Sequence, residues 1–256
     1  MLLAIDVGNT NTVVGIFDGE QLKSDFRIRT MREITEDEIY GATHRLMKAR
    51  GFSEDKITDV IVASVVPKMK RAISVYCSKY LKINPLWVTA DLPLGMPVLL
   101  KNPAEAGADR IVNAVAAYDK YKGALIVVDF GTATTFDCIS KNGEYLGGAI
   151  SPGIGTASEA LFTKAARLPR VEIADPPQAA IGRDTVSSMQ SGIIFGYAGL
   201  VDGLVSRIKK EMDGPVTVIA TGGLAPLMAG VCSEISAVEP DLTLLGLRLI
   251  HQRIRG

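Results

Sequence analysis

Leu3-Ala4-Ile5-Asp6-Val7-Gly8-Asn9-Thr10-Asn11-Thr12-Val13-Val14-Gly15-Ile16-Phe17-Asp18, followed by Gly19-Glu20-Gln21-Leu22, is a stretch that this chain contains twice. The second copy is Val127-Val128-Asp129-Phe130-Gly131-Thr132-Ala133-Thr134-Thr135-Phe136-Asp137-Cys138-Ile139, followed by Asn142-Gly143-Glu144-Tyr145-Leu146. Laid over one another, Asp6 matches Asp129, Gly8 matches Gly131, Thr12 matches Thr135 and Ile16 matches Ile139. One inserted residue later, Gly19-Glu20-x-Leu22 matches Gly143-Glu144-x-Leu146. Each copy has apolar β-branched runs broken by small turn residues, the pattern of strand, glycine turn, strand, turn, strand. A hairpin repeated at this separation predicts a duplicated domain.

The segments that follow each hairpin extend the repeat. Thr35-Glu36-Asp37-Glu38 is a capping box heading a helix to about Ala49, with Gly51 as its stop. Asp59–Ser64 reads as a short buried strand, Pro67–Leu81 has helical spacing, and Leu86–Thr89 reads as another strand. The first half is therefore β-β-β-α-β-α-β. A proline-punctuated connection spans 91–103, and a helix follows from about Ala108 to Tyr121. In the second half, Ala124–Asp129, Thr134–Ile139 and Glu144–Ile150 read as strands and Gly153–Lys164 as a helix. Leu168–Ala180 is a proline-rich loop, Val186–Met212 a long helix, Val216–Ala220 a buried strand, and Leu244–Ile254 a helix. The expected boundary separates 1–116 from 117–256.

Composition narrows the function classes. The 256 residues carry 28 Lys+Arg and 28 Asp+Glu, a formal net charge of zero, which argues against a partner held by general basicity such as nucleic acid. Hydrophobic residues make up 47% and mean hydropathy is +0.22, so the chain is expected to be globular, with apolar surface to spare for a subunit interface. Cys77, Cys138 and Cys232 are odd in number and widely spaced, the pattern of buried thiols in a reducing cytoplasm and not of a disulfide framework or zinc site. Asp6 ends the first apolar run after five residues, so no signal peptide or membrane span is expected there.

Several motifs could carry chemistry. Asp6-x-Gly8-Asn9-Thr10-Asn11-Thr12 closes a strand with small residues whose amides and hydroxyls could meet phosphate oxygens, while the acidic residue could face a metal ion or its waters. It is neither a Walker A loop nor a GxGxxG, and read alone it is equally a hairpin turn with Asx capping. Asp129-Phe130-Gly131-Thr132 repeats the arrangement, with Thr132 placed to reach a terminal phosphate and Asp129 to face a cation. Thr221-Gly222-Gly223 follows a buried strand and could let a flat base lie on the backbone, or be a plain turn. Gly107-Ala108-Asp109-Arg110 opens a helix whose dipole would keep Asp109 ionised, as a base accepting a hydroxyl proton during phosphoryl transfer requires; a cap with a structural ion pair is the alternative. Gly147-Gly148 to Gly153-x-Gly155 suits either close ligand approach or backbone packing. Thr185 is read as the cap of the long helix or as a ligand contact, and His44 and His251 as structural.

Duplicated Asp-Gly-Thr hairpins with a strand–Gly–Gly turn resemble the sugar kinase/Hsp70/actin superfamily. Within it, the whole chain closely resembles the type III pantothenate kinase family. The resemblance rests on Asp6–Val13, Asn102-Pro103 leading to Gly107–Asn113, Asp129–Thr135, Gly147–Gly155, Ser188–Gly192 and Thr221–Gly223.

The resemblance implies an α/β fold of two ribonuclease-H-like (actin-like ATPase) halves, each β-β-β-α-β-α-β, with a cleft between them. It also implies ATP-dependent phosphorylation of pantothenate to 4'-phosphopantothenate, the first step of coenzyme A biosynthesis. ATP would contact Asp6, Val7, Gly8, Asn9, Thr10, Asn11, Thr12, Val13 and Thr132, with Mg2+ accompanying it. Pantothenate would contact Leu100, Gly107, Ala108, Asp109 and Arg110, with Thr185 reaching it from the other side. Asp109 would be the general base, and Asp129 would help hold a monovalent cation, K+ or NH4+. A cytoplasmic homodimer with the substrate pocket at the subunit interface is implied, with neither nucleic acid nor membrane as partner. The family commonly has tyrosine near position 100, so the contact from Leu100 is expected to be apolar. Two rivals are a kinase acting on a sugar or another carboxylate, and a regulatory protein that keeps the fold. The residues around Asp109 speak against the first, and the presence of both Asp6 and Asp109 against the second.

Overall fold

A computed structural model describes residues 1–89 and 92–255. Contacts group the chain into two compact units, Met1–Ala116 together with the segment from Leu242, and Ala117–Asp241. The sequence reading assigned the C-terminal helix to the second half; its contacts group it with the first unit. The first residue of the expected 91–103 connection, Asp91, lies outside the described residues.

The first unit opens with β1 (Leu2–Val7), β2 (Asn11–Asp18) and β3 (Gln21–Arg29), then α1 (Glu36–Ala49), β4 (Asp59–Ser64), α2 (Met69–Tyr76) and β5 (Leu86–Trp87). A π-helical turn, Cys77–Leu81, continues α2, and Lys82 ends it in the left-handed region at φ 61°. The sheet order is β3-β2-β1-β4-β5. β1 pairs antiparallel with β2 and parallel with β4, so its C-terminal end, where Asp6 sits, is held on both sides. The capping box forms as expected: the Thr35 hydroxyl accepts from the Glu38 amide at 3.3 Å, and the Glu38 carboxylate accepts from the Thr35 amide at 2.8 Å. One sheet face buries Leu3, Ile5, Val14, Ile16, Phe26 and Val62 against Met47, Met69 and Ile73 of α1 and α2.

Two further helices complete this unit: α3 (Ala108–Tyr121), which begins here, and the C-terminal helix, called α7 for its place in chain order (Leu242–Arg255). Two glycines let α7 sit down. A Cβ on Gly15 would meet Leu244 Cδ1 at 2.9 Å, and one on Gly246 would meet the Val112 carbonyl oxygen at 2.2 Å. The Thr243 hydroxyl donates to Asn113 Oδ1 at 2.7 Å, a polar tie in the same contact.

The second unit contains β6 (Ala124–Phe130), β7 (Ala133–Ile139), β8 (Tyr145–Pro152), α4 (Ile154–Lys164), α5 (Thr185–Lys209), β9 (Val216–Thr221), α6 (Ala225–Ala229) and β10 (Ala237–Val238). Its order is β10-β9-β6-β7-β8, the same path as the first sheet. The short elements α6 and β10, of five and two residues, were not read from the sequence, because neither is long enough to show a period. The apolar face of α5, with Ile193, Ala198, Val201 and Val205, packs with Val128, Phe136 and Val218 in one core.

Strand register corrects the alignment of the repeat. Val7 faces Thr12 across the first turn, whereas Phe130 faces Thr134 across the second. The second turn is thus one residue shorter, and the counterpart of Thr12 is Thr134, not Thr135. The irregularity between Ile16 and Phe17 in the β2–β3 pairing recurs between Cys138 and Ile139, so Ile16 corresponds to Cys138. Leu22 pairs with Phe17 and Tyr145 with Ile139, which aligns Leu22 with Tyr145 instead of Leu146. An ungapped reading cannot see a deletion inside a turn of small residues.

Candidate active site

In the first unit, Asp6 lies half-buried at the end of β1, opposite Val13 of β2 and beside Ala63 of β4. The turn beyond it is closed by Gly8 N–H donating to Asn11 O at 3.0 Å, leaving Asn9 and Thr10 exposed at its tip. Thr12 is buried, and its hydroxyl is 3.0 Å from that of Thr30. The Thr30 hydroxyl donates to Gly8 O at 2.8 Å, and its amide to Thr10 O at 2.9 Å. Thr30 carried no sequence signal, since it stands alone after a strand.

The other cluster of this unit is the head of α3. Asn102 caps a short helical turn, Pro103–Glu105, that leads into it. Asp109 lies in the first turn of α3, and its Oδ1 accepts from the Arg110 amide at 2.9 Å. Gly107 is packed so closely that a Cβ there would stand 2.7 Å from Asp109 Oδ1. The sequence reading expected the helix terminus to keep this carboxyl ionised. Burial pushes the Asp109 carboxyl above the usual range, opposed by the Arg110 amide and by the Arg110 charge. A desolvated carboxylate beside a fixed donor is a stronger proton acceptor than one in water. Leu100 is half-buried in the loop before Asn102.

In the second unit, Asp129 lies half-buried near the end of β6, opposite Thr135 and beside Thr221. Gly222 follows at φ +91°, and a Cβ there would stand 2.5 Å from Asp129 Oδ1. The Gly–Gly turn therefore packs its backbone on the Asp129 carboxylate. Thr132 is exposed in the turn beyond β6, where Gly131 N–H donates to Ala133 O at 3.1 Å. The Thr132 carbonyl accepts from Gly153 N–H at 3.1 Å and from the Thr156 hydroxyl at 2.8 Å. A Cβ on Gly153 would reach 2.4 Å from the Thr132 oxygen. At Gly153, the glycine-rich junction serves backbone packing.

Thr185 is not the cap of the long helix. Asp184 is: its carboxylate accepts from the Ser187 amide at 2.9 Å, and Thr185 is the first helical residue. The Ser187 amide and hydroxyl hold the Asp184 carboxyl below the usual range. Thr185 lines a groove of about 760 Å³ with Leu161, Leu168, Arg183, Met189 and Tyr197. The Tyr197 hydroxyl donates to Pro152 O at 2.8 Å, joining this groove to the strand that precedes Gly153. Thus Asp129, Thr132 and the Thr185 groove belong to one unit, and Asp6–Val13, Leu100 and Gly107–Arg110 to the other.

Among the described residues, no group of three or more His, Cys, Asp or Glu could hold a metal ion. Asp129 is a single half-buried carboxylate with the Gly222 backbone packed on it. The three cysteines are free and buried. Of the described helices, α5 is long and apolar enough to cross a membrane by length and composition, but its apolar face belongs to the core already described.

Comparison with known proteins adds the family. The model of the type III pantothenate kinase family matches residues 2–207. A type III pantothenate kinase of Desulfatibacillum aliphaticivorans is 63% identical over 99% of each chain, and one of Desulfosudis oleivorans is 54% identical over 98% of each. Among solved structures, a Baf family protein from Campylobacter jejuni superposes with a TM-score of 0.61 at 18% identity, covering 98% of both chains. The ROK hexokinase of Thermus thermophilus superposes at 0.54 and 14% identity over 99% of both. Identities this low speak to the fold, which is that of the two-halved sugar kinases. The full-length matches at 54% and 63% identity speak to more: the chain belongs to the type III pantothenate kinase family.

Proposed function

We propose that this chain transfers the terminal phosphoryl group of ATP to the primary hydroxyl of pantothenate, with Asp109 as general base. Membership of the family makes it a pantothenate kinase, an enzyme of coenzyme A biosynthesis. The catalytic assignment rests on one observation, the partly buried Asp109 carboxyl held by the Arg110 amide at the head of α3. Asp109 takes the hydroxyl proton as the oxygen attacks; the new O–P bond forms, the bond to the bridging oxygen breaks, and ADP leaves.

The remaining roles follow the same reading. ATP is bound through Asp6–Val13 and Thr132, and Mg2+ bound with it offsets the phosphate charge. Pantothenate contacts Leu100 and Gly107–Arg110, with Thr185 contributing from its groove. Asp129, half-buried near the end of β6, helps hold K+ or NH4+ through its carboxylate oxygens. A second copy of the chain covers apolar surface that a monomer would leave in water: Ile150 on the edge strand β8 is 66% exposed, Ile181 is 83%, and Phe162 is 39%. Three unbridged cysteines agree with a cytoplasmic setting.

A coupled ADP-release assay with ATP, Mg2+ and pantothenate, run in potassium and again in sodium, tests this reading. Potassium-dependent turnover is expected. Equal rates in both salts would remove the cation from Asp129, and turnover absent in potassium and ammonium alike would overturn the kinase assignment.

A further inference from the structure

We infer that Thr30 is a positioning residue for the nucleotide: it turns the carbonyls of the Gly8–Asn11 turn away from the phosphates and so presents the turn's amides to them. The inference rests on the proposed binding of ATP at Asp6–Val13. A turn that binds an anion must aim N–H groups at it and keep carbonyl oxygens off it. Both tasks meet in Thr30. Its hydroxyl donates to Gly8 O at 2.8 Å and its amide to Thr10 O at 2.9 Å. None of the described peptide bonds is cis, and in a trans peptide the N–H points opposite to the C=O. Binding the Gly8 and Thr10 carbonyls therefore directs the Asn9 and Asn11 amides away from Thr30. The hydroxyl has one proton, which Gly8 O accepts, so the 3.0 Å contact with Thr12 is a bond donated by Thr12. Thr12, Thr30 and Gly8 form a buried chain of hydrogen bonds beneath the turn.

The second copy supplies an internal comparison. The corrected register puts Gly153 where Thr30 stands, and the main-chain bond is retained, Gly153 N–H to Thr132 O at 3.1 Å. The side-chain part is lost. Thr134, the counterpart of Thr12, is fully buried, and its hydroxyl has no hydrogen-bond partner among the described residues. A different hydroxyl, from Thr156 of α4, clamps the Thr132 carbonyl instead. Both turns thus have a hydroxyl from outside the turn fixing a carbonyl within it.

The test compares wild type with Thr30→Val, which keeps the β-branched shape and the amide bond, and Thr30→Ser, which keeps the hydroxyl. Thr30→Val is expected to raise KM for ATP about tenfold. KM for pantothenate should stay within about twofold, and Thr30→Ser should restore ATP binding. Thermal unfolding and equilibrium binding of a nonhydrolysable ATP analogue establish that each variant is folded and report affinity directly. Thr30→Val with unchanged KM for ATP, a rise shared equally by both substrates, or failure of Thr30→Ser to rescue would overturn the inference. Asp6→Asn, measured alongside, separates the two levels. If it weakens ATP binding and Thr30→Val does not, the positioning role falls alone. If neither does, it falls together with the ATP assignment beneath it.

Discussion

Gly222→Ala is the perturbation for which the structure gives the clearest magnitude. The added Cβ would stand 2.5 Å from Asp129 Oδ1 and 2.7 Å from the Phe130 carbonyl carbon and oxygen, about 1 Å inside normal contact. Phe130 ends β6 against β7, so the backbone has little room to yield. The residue also sits at φ +91°, where an L side chain costs about 1–3 kcal/mol. Adding overpacking of about 1–3 kcal/mol gives a loss of about 2–6 kcal/mol, or a fall in Tm of about 4–24 °C for a chain of this size. What relieves the clash is movement of the Asp129 carboxylate. Misplacing a charged ligand by about 1 Å costs up to about a hundredfold in rate, so potassium activation should collapse along with the drop in Tm. Scanning calorimetry and the ADP-release assay at graded potassium read both. An unchanged Tm would refute the packing of Gly222 on Asp129. A lowered Tm with intact potassium activation would refute the cation role of Asp129.

Asp109 gives a prediction in pH. Its carboxyl is raised by burial and only its ionised form can accept a proton, so the acidic limb of kcat/KM should lie above the ordinary carboxylate range; a limb at or below that range contradicts the assignment. The same shift disfavours the folded state once the carboxyl ionises. This cost is absent below the unfolded pKa and complete above the raised one, so Asp109→Asn should raise Tm at neutral pH and leave it unchanged in acid. Gly246→Ala drives a Cβ to 2.2 Å from the Val112 carbonyl and should loosen α7 from α3, lowering Tm and exposing the C-terminal helix to protease; wild-type resistance would contradict the packing.

The repeat was legible because it lives in chemistry that sequence displays: an acid at a strand end, then glycine and threonine, then β-branched residues. The strand order of each unit follows from it, since two copies of one hairpin, each followed by helices and strands, build the same sheet path. Three kinds of feature were not legible. The one-residue difference between the two turns was hidden, because Thr134 and Thr135 are both threonine and only cross-strand pairing tells them apart. The cap of α5 was misread by one position, because Asp184 and Thr185 are both good capping residues and the choice depends on backbone geometry. The desolvation of Asp109 was not legible, because a helix terminus is visible in sequence and burial is not. Thr30 and Thr156 belong to the last kind. Each places a hydroxyl on the carbonyl of a turn far away in sequence.

Asp109 as the base is tested most directly by one measurement: steady-state turnover of Asp109→Asn with ATP, Mg2+ and pantothenate in potassium, beside its affinity for ATP. The change keeps the size of the side chain and the oxygen that accepts from the Arg110 amide, but removes the proton-accepting charge. Turnover is expected to fall by about 10²–10⁴-fold, with ATP affinity within about twofold of wild type. Turnover close to wild type would show that another group takes the proton.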